Sequence, residues 1–451
     1  MPRPILALVL LAAASAGASA QSPRVWAELP ASPFHGYRSE DVAVVGPRVW
    51  AVNGSGQAWR SDDRGDTWAQ TFQDPYSYFR ALAFPTATTG WIGVLFNQQA
   101  RLYETRDGGA TYANVTARIR PAIAGGICGL WALDDRTVWA VGQYSSPAYV
   151  VKTTDGGATW TSTALAPLAD ELIDVRFFDA LHGLATGGTG PYGTSRARII
   201  GTDDGGATWT VRHTVTAANT LGWKLTFPTR LVGYASVEHL DGAADALVLK
   251  TVDGGQTWAE MTIPGGGTLQ GLGFATPDVG WASGRGRTSV TTDGGLTWAN
   301  LPPTRFEGDP PHQTQVPGTG LDGDVNRFRF VGDSLAYAAG HKIYRLRGRF
   351  PTAAGDAPAA PDAPLADGLA GVFPNPARGP VTVSYRTATA SPVRIDVVDA
   401  RGRTVATLVD AAVAPGEHVA TWAAGVAPGV YVVRMRAAGG VSTLRVAVAG
   451  R

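Results

Sequence analysis

The sequence predicts an all-β protein, a seven-bladed β-propeller followed by a small Ig-like β-sandwich. Three observations carry this prediction. A Gly-centred turn motif occurs six times at intervals of 40 to 49 residues, and a strand motif that is mostly aromatic occurs seven times, out of phase with it. A last segment of about 80 residues contains short alternating strands but neither motif. Repeats of this length with about four strands each are typical of propeller blades.

The composition agrees with many short strands and excludes several classes of protein. The 451 residues include 57 glycines and 14 tryptophans, and only 17% are charged. The 38 basic and 37 acidic residues nearly cancel, which argues against nucleic-acid binding because phosphate recognition needs a basic surplus. The single cysteine, Cys128, excludes a disulfide framework and a Cys-rich zinc site. No metal site and no cofactor are predicted.

The N-terminus has the pattern of a secretory signal peptide over residues 1–20. Arg3 supplies the positive start, residues 5–13 are apolar, and Ala18-Ser19-Ala20 fits the small-residue cleavage pattern. The mature chain is therefore expected to begin at Gln21. No later apolar run approaches 18 residues, so no transmembrane segment is predicted in the mature chain.

The turn motif has the pattern [S/T]-x-D-x-G-x-T-[W/Y]. A carboxylate can accept backbone N–H groups within a tight turn, and Gly supplies the positive φ that such a turn needs. We therefore predict a structural role for these Asp residues, with the following Trp packing inward at the start of the next strand. The Asp residues are Asp63, Asp107, Asp155, Asp204, Asp253 and Asp293, and the Trp residues are Trp68, Trp160, Trp209, Trp258 and Trp298.

The strand motif occurs out of phase with the turn motif. One blade is expected to run strand A, a short turn, strand B with the aromatic motif, a loop, strand C, the repeat turn and strand D. The seven copies of the strand motif lie at residues 49–52, 90–93, 138–141, 183–186, 233–236, 280–283 and 336–339.

The seventh unit, residues 326–347, lacks a repeat turn and therefore a strand D. Residues 24–30 have the sequence pattern of the strands that follow the other repeat turns, such as residues 257–261. We predict that this N-terminal strand closes the last blade, because an open ring would expose two sheet edges. The propeller is accordingly placed at residues 21–350.

The repeat turn resembles the Asp box, or BNR repeat, of sialidases, sortilin-like receptors, xyloglucanases and photosystem II stability-factor propellers. The resemblance implies the propeller fold and leaves several functions open. The Arg-Ile-Pro start and arginine triad of sialidases are not evident here, and those enzymes have six blades. Xyloglucanase-like enzymes bind substrate between two seven-bladed propellers, whereas this sequence predicts one. The photosystem-related propellers imply a third possibility, an assembly factor of a membrane complex.

The C-terminal part is predicted to be a separate domain. Residues 351–370 are a Pro/Ala-rich linker, and residues 371–451 contain alternating segments at 380–386, 393–398, 418–422, 430–435 and 442–448. Its landmarks are Phe-Pro-Asn-Pro at 373–376, Asp-Ala-Arg-Gly-Arg at 399–403 and Pro-Gly-Val-Tyr at 428–431. In this order they resemble the type A sorting domain of type IX secretion systems. The resemblance implies export across the outer membrane, contact with the secretion machinery, and removal of the domain or its use in surface attachment.

Candidate site residues lie in loops on the face opposite the repeat turns, which surrounds the mouth of the central channel. Loops that vary on a rigid scaffold are where propellers generally bind ligands. The candidate ligand-binding residues are Tyr76, Tyr78, Arg80, Trp131, Tyr144, Trp223, Lys224, Arg285 and Arg287. Glycoside hydrolysis would need two carboxyl groups at a set separation, and the candidates are Glu171, Asp174, Asp241 and Asp324.

The sequence favours an exported, non-catalytic binding or scaffold propeller at the cell surface or in the medium, with a glycan or protein ligand on the channel face. A secreted glycoside hydrolase of sialidase or xyloglucanase type is the alternative, because the same scaffold hosts many functions. An assembly factor is a further alternative, against which the sorting domain counts.

Overall fold

The structure is a computed structural model. It describes residues 26–29, 31–33, 37–97, 99–142, 147–242, 245–265, 267–300, 321, 324–348, 350, 367–373, 375, 377 and 379–449. The predicted signal peptide and residues 301–320 lie outside the described residues.

Seven sheets, each with four antiparallel strands, follow one another along the chain, which confirms the predicted seven-bladed propeller. Blades 1 to 6 run in order from strand A, the innermost, to strand D. Blade 1 has β2 (Ser39–Val45), β3 (Arg48–Asn53), β4 (Gln57–Ser61) and β5 (Ala69–Gln73). Blade 2 has β6 (Tyr78–Ala83), β7 (Gly90–Phe96), β8 (Leu102–Thr105) and β9 (Ala113–Asn114). Blade 3 has β11 (Ile127–Ala132), β12 (Val138–Gly142), β13 (Tyr149–Thr153) and β14 (Trp160–Ala164).

The next three blades repeat this arrangement. Blade 4 has β15 (Glu171–Phe177), β16 (Gly183–Thr189), β17 (Arg196–Thr202) and β18 (Thr210–Thr214). Blade 5 has β19 (Thr220–Thr226), β20 (Gly233–His239), β21 (Ala246–Thr251) and β22 (Ala259–Ile263). Blade 6 has β23 (Gly271–Phe274), β24 (Gly280–Gly284), β25 (Arg287–Thr291) and β26 (Ala299–Asn300).

Blade 7 joins the two ends of the propeller. It contains β27 (Arg327–Val331), β28 (Leu335–Ala339) and β29 (Ile343–Arg347), and its fourth strand is β1 (Ala27–Glu28) from the N-terminus. Ala27 pairs with Arg345 in an antiparallel ladder. The flanking Trp26 is buried in the core of this blade. The predicted closure by the N-terminal segment is therefore confirmed.

Blade 3 carries an addition that the repeat pattern did not predict. A short 3₁₀ helix (Thr116–Arg118) leads into β10 (Ile119–Arg120), which pairs in parallel with β14 at the outer edge. Ile119 is fully buried, so this fifth strand covers an edge that would otherwise be open.

Each of the six repeat turns is held by the same hydrogen bonds. In the first, the Asp63 carboxylate accepts the Thr67 backbone N–H at 2.8 Å and the Thr67 hydroxyl at 2.6 Å. The Ser61 hydroxyl donates to Asp63 at 2.7 Å and accepts the Gly65 N–H at 2.7 Å. Gly65 has φ +92°, a left-handed conformation that favours glycine. The Asp residues are thus engaged within their own turns.

The strand B aromatic residues connect each of several blades to the next. Trp50 of blade 1 stacks on Phe84 of blade 2 at a centroid distance of 3.9 Å, and its indole N–H donates to the Gly108 carbonyl at 2.9 Å. Tyr337 of blade 7 repeats this at the ring closure, where its hydroxyl donates to the Arg64 carbonyl at 2.9 Å. The repeat turns of one blade are therefore tied to strand B of the preceding blade.

The C-terminal domain is a sandwich of two antiparallel sheets. One contains β30 (Gly368–Phe373), β31 (Val381–Thr387) and β34 (Gly416–Trp422); the other contains β33 (Thr404–Val413), β32 (Ser391–Val398), β35 (Gly429–Ala437) and β36 (Gly440–Val448). Ile395, Val433 and Trp422 lie in a buried core between the sheets. The Asp399 carboxylate accepts the backbone N–H of Arg403, which makes the Asp-Ala-Arg-Gly-Arg segment a turn.

Two details of this domain differ from the prediction. The linker was placed at residues 351–370, but β30 begins at Gly368, so the folded domain starts earlier than residue 371. Strand β33 was missed because it is an edge strand whose residues are mostly exposed, which leaves no clear alternation of buried and exposed positions.

Candidate functional site

A cavity of about 910 Å³ opens on the channel face, where strand A of each blade begins and strand B ends. Blades 2, 4, 5 and 6 and the segment before blade 1 contribute to its wall. The charged and aromatic residues of the wall are Arg38, Tyr78, Arg80, Phe96, Asp170, Glu171, Tyr192, Trp223, Glu238 and Arg285.

Glu40 organises one side of this cavity. Its buried carboxylate binds Arg80 Nη1 at 2.7 Å, Arg38 Nε at 3.0 Å and the Tyr78 hydroxyl at 2.6 Å. Asn326 of blade 7 donates to the same carboxylate at 2.9 Å. Burial disfavours the charged carboxylate, but the positive charges of Arg38 and Arg80 outweigh it and lower the pKa of Glu40 to about 2. Glu40 therefore stays ionised and fixes both arginines.

A second set of ion pairs crosses the channel. Arg327 of blade 7 makes two 2.9 Å hydrogen bonds to the Asp174 carboxylate of blade 4, and its Nε lies 3.2 Å from Asp41 of blade 1. Asp41 and Asp174 also accept the backbone N–H groups of Leu82 and Leu225, one blade further along. These carboxylates are saturated by the protein and serve to hold the innermost strands together.

Two carboxyl groups in the cavity wall have raised pKa values. Burial, together with the neighbouring charge of Asp170, raises the pKa of Glu171 to about 7. Burial also raises the pKa of Glu238, although Gln270 donates to its carboxylate at 3.2 Å and Arg285 lies 3.5 Å away. Both groups can therefore hold a proton closer to neutral pH than an exposed glutamate.

The structure brings five predicted site residues together in the cavity wall: Tyr78, Arg80, Glu171, Trp223 and Arg285. The Arg80 guanidinium lies 5.0 Å from the centre of the Trp223 ring. Two further candidates, Asp174 and Lys224, are buried in the channel wall rather than exposed in loops.

Other predicted residues lie outside the cavity wall. Asp324 is paired with Arg38 and His341, both at 3.1 Å. Asp241 and Tyr76 are exposed on the same face. Arg287 is also exposed there, and its guanidinium donates to the Gly265 carbonyl.

The placement of Trp131 on the channel face was wrong. Trp131 is near the end of β11 and pairs with Trp139, so it lies beside the A–B turn on the opposite face. There its ring packs 4.7 Å from the Arg176 guanidinium. Tyr144 falls on residues that the structure does not describe.

Three residues in or beside the cavity were not predicted: Glu40, Glu238 and Gln270. Glu40 and Glu238 had a usable signal. Each is an acidic residue in a strand that also contains several apolar residues, next to Asp41 or His239, and a buried charge is retained only if it is paired or functional.

The described residues contain no helix long and apolar enough to cross a membrane. Within the same residues, no group of three His, Cys, Asp or Glu side chains is positioned to hold a metal ion.

The fold and cavity define a seven-bladed β-propeller joined to a small β-sandwich. Residues 371–449 match the family of secretion system C-terminal sorting domains. The chain therefore carries a sorting domain, as predicted, and this indicates export by the type IX secretion system.

Solved structures similar to this chain are propellers. YCF48 from Cyanidioschyzon merolae is 16% identical, with a TM-score of 0.52 over 72% of this chain and 98% of its own. YCF48 bound to D1 peptide is also 16% identical, with a TM-score of 0.51 over 73% of this chain and 98% of its own. An ancestral GH74 enzyme is 12% identical, with a TM-score of 0.51 over 94% of this chain and 64% of its own. At these identities the likeness concerns the fold alone. No curated protein matches the sequence.

Proposed function

We propose that the chain is an exported binding protein that holds an extracellular ligand, a glycan or a protein segment, in the channel-face cavity without catalysing a reaction. The observation that carries this proposal is the cavity itself. Tyr78, Arg80 and Trp223 lie in strands, and Glu40 holds both Tyr78 and Arg80, which suits recognition because these side chains lose little freedom on binding.

The state of the candidate carboxylates supports binding rather than catalysis. Asp174 is bonded to Arg327, and Asp324 is bonded to Arg38 and His341. Asp241 is exposed outside the cavity wall. A catalytic acid and base must instead be free to exchange protons with a substrate.

The sorting domain supports a site of action outside the cell, in the medium or at the outer surface. It would be removed after export or retained for attachment. One propeller of similar fold, YCF48, is bound to a peptide, which favours a protein segment as an occupant of such a scaffold. An assembly factor remains less well supported, because export would separate it from a complex of the inner membrane.

Glycoside hydrolysis is the second candidate function, and one observation favours it. Glu171 and Glu238 line the same cavity, and both have raised pKa values. A carboxylic acid that remains protonated near neutral pH is suited to act as the general acid in this chemistry.

A glycan array and a peptide array, both probed with the mature chain from residue 21 to 451, test the two candidates. Product release is followed for every ligand that binds. Binding without cleavage supports our proposal. Cleavage that disappears in both Glu171→Gln and Glu238→Gln would establish the hydrolase instead.

Two tyrosines provide a matched pair of variants for locating the bound ligand. Tyr192 lines the cavity and is 79% exposed, whereas Tyr76 lies outside it on the same face and is 86% exposed. Tyr192→Ala is expected to weaken binding about tenfold, the loss of one aromatic contact of about 1.4 kcal/mol. Tyr76→Ala should leave the affinity unchanged. Equal effects of the two substitutions would place the ligand elsewhere on this face.

A further inference from the structure

Lys224 is a buried charge-bearing residue that the network in the channel leaves unpaired. Its side chain is only 1% exposed. Among the described residues, its Nζ atom has no hydrogen-bond partner. A buried amine without a partner is costly, so its retention calls for an explanation.

The neighbouring carboxylates are already occupied by other groups. Asp174 binds Arg327 through both oxygens and accepts the Leu225 N–H. Asp41 lies close to Arg327 and Arg329, each at 3.2 Å. Burial and then the charges of Arg327 and Arg80 hold the pKa of Lys224 well below its usual range, although both carboxylates act in the opposite direction.

Arg80 supplies a second unsatisfied donor near Lys224. Its Nη1 binds Glu40, but its Nη2 has no partner among the described residues. Arg80 is 2% exposed and belongs to the cavity wall, so its free N–H groups lie where the cavity meets the channel.

A bulge in β19 explains how neighbouring residues of one strand reach both the cavity and the channel. Gly222 pairs with Val237 and Leu225 with Ala235, so Trp223 and Lys224 together oppose one residue, Ser236. Such a bulge re-aims side chains relative to a regular strand. Here Trp223 lines the cavity, while Lys224 lies among the charges of the channel.

We infer that the floor of the cavity is an anion site, where Lys224 Nζ and Arg80 Nη2 donate to a small anion or to a carboxylate, sulfate or phosphate group of a ligand. A bound anion would favour the protonated form of the Lys224 amine, and charge-assisted hydrogen bonds from Lys and Arg to such groups are strong when water is excluded. This inference deepens the proposed function by naming the chemical group that the cavity takes at its floor.

The test measures thermal unfolding of the mature chain in increasing chloride, acetate, sulfate and phosphate. For a site of this kind, Tm rises with the logarithm of anion concentration once the dissociation constant is exceeded. Lys224→Met should lose this rise. Lys250→Met is the matched control, because Lys250 lies in β21 of the same blade and donates to the Gly294 carbonyl instead. It should retain the full rise. Equal responses of the wild type and both variants would indicate a general salt effect and overturn the inference.

The stability of the wild type and the Lys224 variants in low-salt buffer is an independent test of the anion site. There Lys224→Met should be at least as stable as the wild type, because it removes an amine that has lost its water. Lys224→Gln, which keeps an N–H donor but no charge, gives the same comparison if the Met variant does not fold. A wild type more stable than both variants without added anion would overturn the inference.

Ligands identified on the arrays show whether the anionic group belongs to a bound ligand or is a free ion. They also distinguish failure of the anion site from failure of the proposed binding function. If phosphate competes with a carboxylate- or sulfate-bearing ligand, the anionic group at the site belongs to that ligand. If a ligand binds without competition from phosphate, the site holds a free ion. Ligand binding that is identical in the wild type and Lys224→Met, without any anion effect on Tm, would leave the proposed function standing and remove the anion site. An anion effect on Tm without any array ligand that binds would support the anion site and remove the proposed function.

Discussion

The polar side chains on the two faces of the propeller find their hydrogen-bond and ion-pair partners in different ways. On the turn face, one set of hydrogen bonds is repeated six times, and every Asp is satisfied within four residues of its own position. On the channel face, the ion pairs join residues that belong to no repeated motif. Asp174 and Arg327, for example, are 153 positions apart. The turn face is built from local interactions, whereas the channel face depends on the whole ring.

This difference indicates where function can evolve. Local turns keep the blades in register whatever happens elsewhere, so the channel face is free to carry unique charges. The cavity and the raised pKa values of Glu171 and Glu238 are found on this face. So is the Lys224 Nζ atom, which has no hydrogen-bond partner in the part of the chain that the structure describes. Strained or unsatisfied groups at a functional site are tolerated when the rest of the structure is locally consistent.

The largest expected effect comes from breaking the ion pairs across the channel. Arg327→Met leaves the Asp174 carboxylate buried without its cation and should lower the free energy of unfolding by about 3–5 kcal/mol. Arg345→Met is the control on the turn face of the same blade, where Arg345 binds Asp66, an exposed carboxylate, at 2.9 Å. It should cost about 1 kcal/mol or less. Chemical denaturation measures both.

A second variant makes this prediction specific to charge. Arg327→Met combined with Asp174→Asn removes both charges but keeps an acceptor for the Leu225 N–H. The double variant should recover at least half of the loss seen in Arg327→Met alone. No recovery would mean that packing of the arginine side chain, and not the unpaired carboxylate, determines the cost.

The same contrast explains what the sequence predicts well and what it does not. The repeat turns, strand B and the closing strand at Trp26 are local patterns that recur or match a repeat, so their places follow from spacing. Glu40 and Asp174 have partners 286 and 153 positions away in the chain, and no local pattern pairs residues so far apart. Trp131 was assigned to the wrong face because an aromatic residue near a strand end fits either face until the strand's register is known.

Glu171 provides a pH test of the cavity. Its folded-state pKa of about 7 lies above its ordinary value of 4.5, so the folded protein binds the extra proton between these values. Stability contributed by this group is therefore present below pH 4.5 and is lost as the pH rises to 7. Glu171→Gln should remove about 1–3 kcal/mol of that decline, as measured by denaturation at pH 4.5, 5.5 and 7.5.

Asp63 on the turn face is the control of opposite sign. Hydrogen bonds from Thr67 lower its pKa to about 2, so its contribution is lost only as the pH falls from about 4 through 2. Asp63→Asn should leave the slope between pH 4.5 and 7.5 unchanged. If the two variants changed that slope equally, the assignment of the decline to the cavity would be wrong.

The seam that closes the ring is expected to be as strong as a seam within the chain. Tyr337→Phe removes the hydroxyl that donates to Arg64 across the closure, and Tyr234→Phe removes one that donates to Pro277 at 2.6 Å between blades 5 and 6. Each should cost about 1 kcal/mol, because one hydrogen bond between neighbouring blades is lost. A much smaller cost for Tyr337→Phe would show that the N-terminal strand closes the ring more loosely than the other seams.

The smallest expected effects come from single repeat turns, and their additivity completes the contrast between the faces. Asp107→Ala and Asp204→Ala each remove the same hydrogen bonds to a Thr N–H and hydroxyl, in blades 2 and 4. Each should lower Tm by roughly 2 °C. Because the two turns share no partner, the double variant should show the sum of the two shifts. The Arg327 and Asp174 substitutions, in contrast, should be strongly non-additive. Coupling between the two turns in a thermal melt would mean that the turn face, too, acts as one unit around the ring.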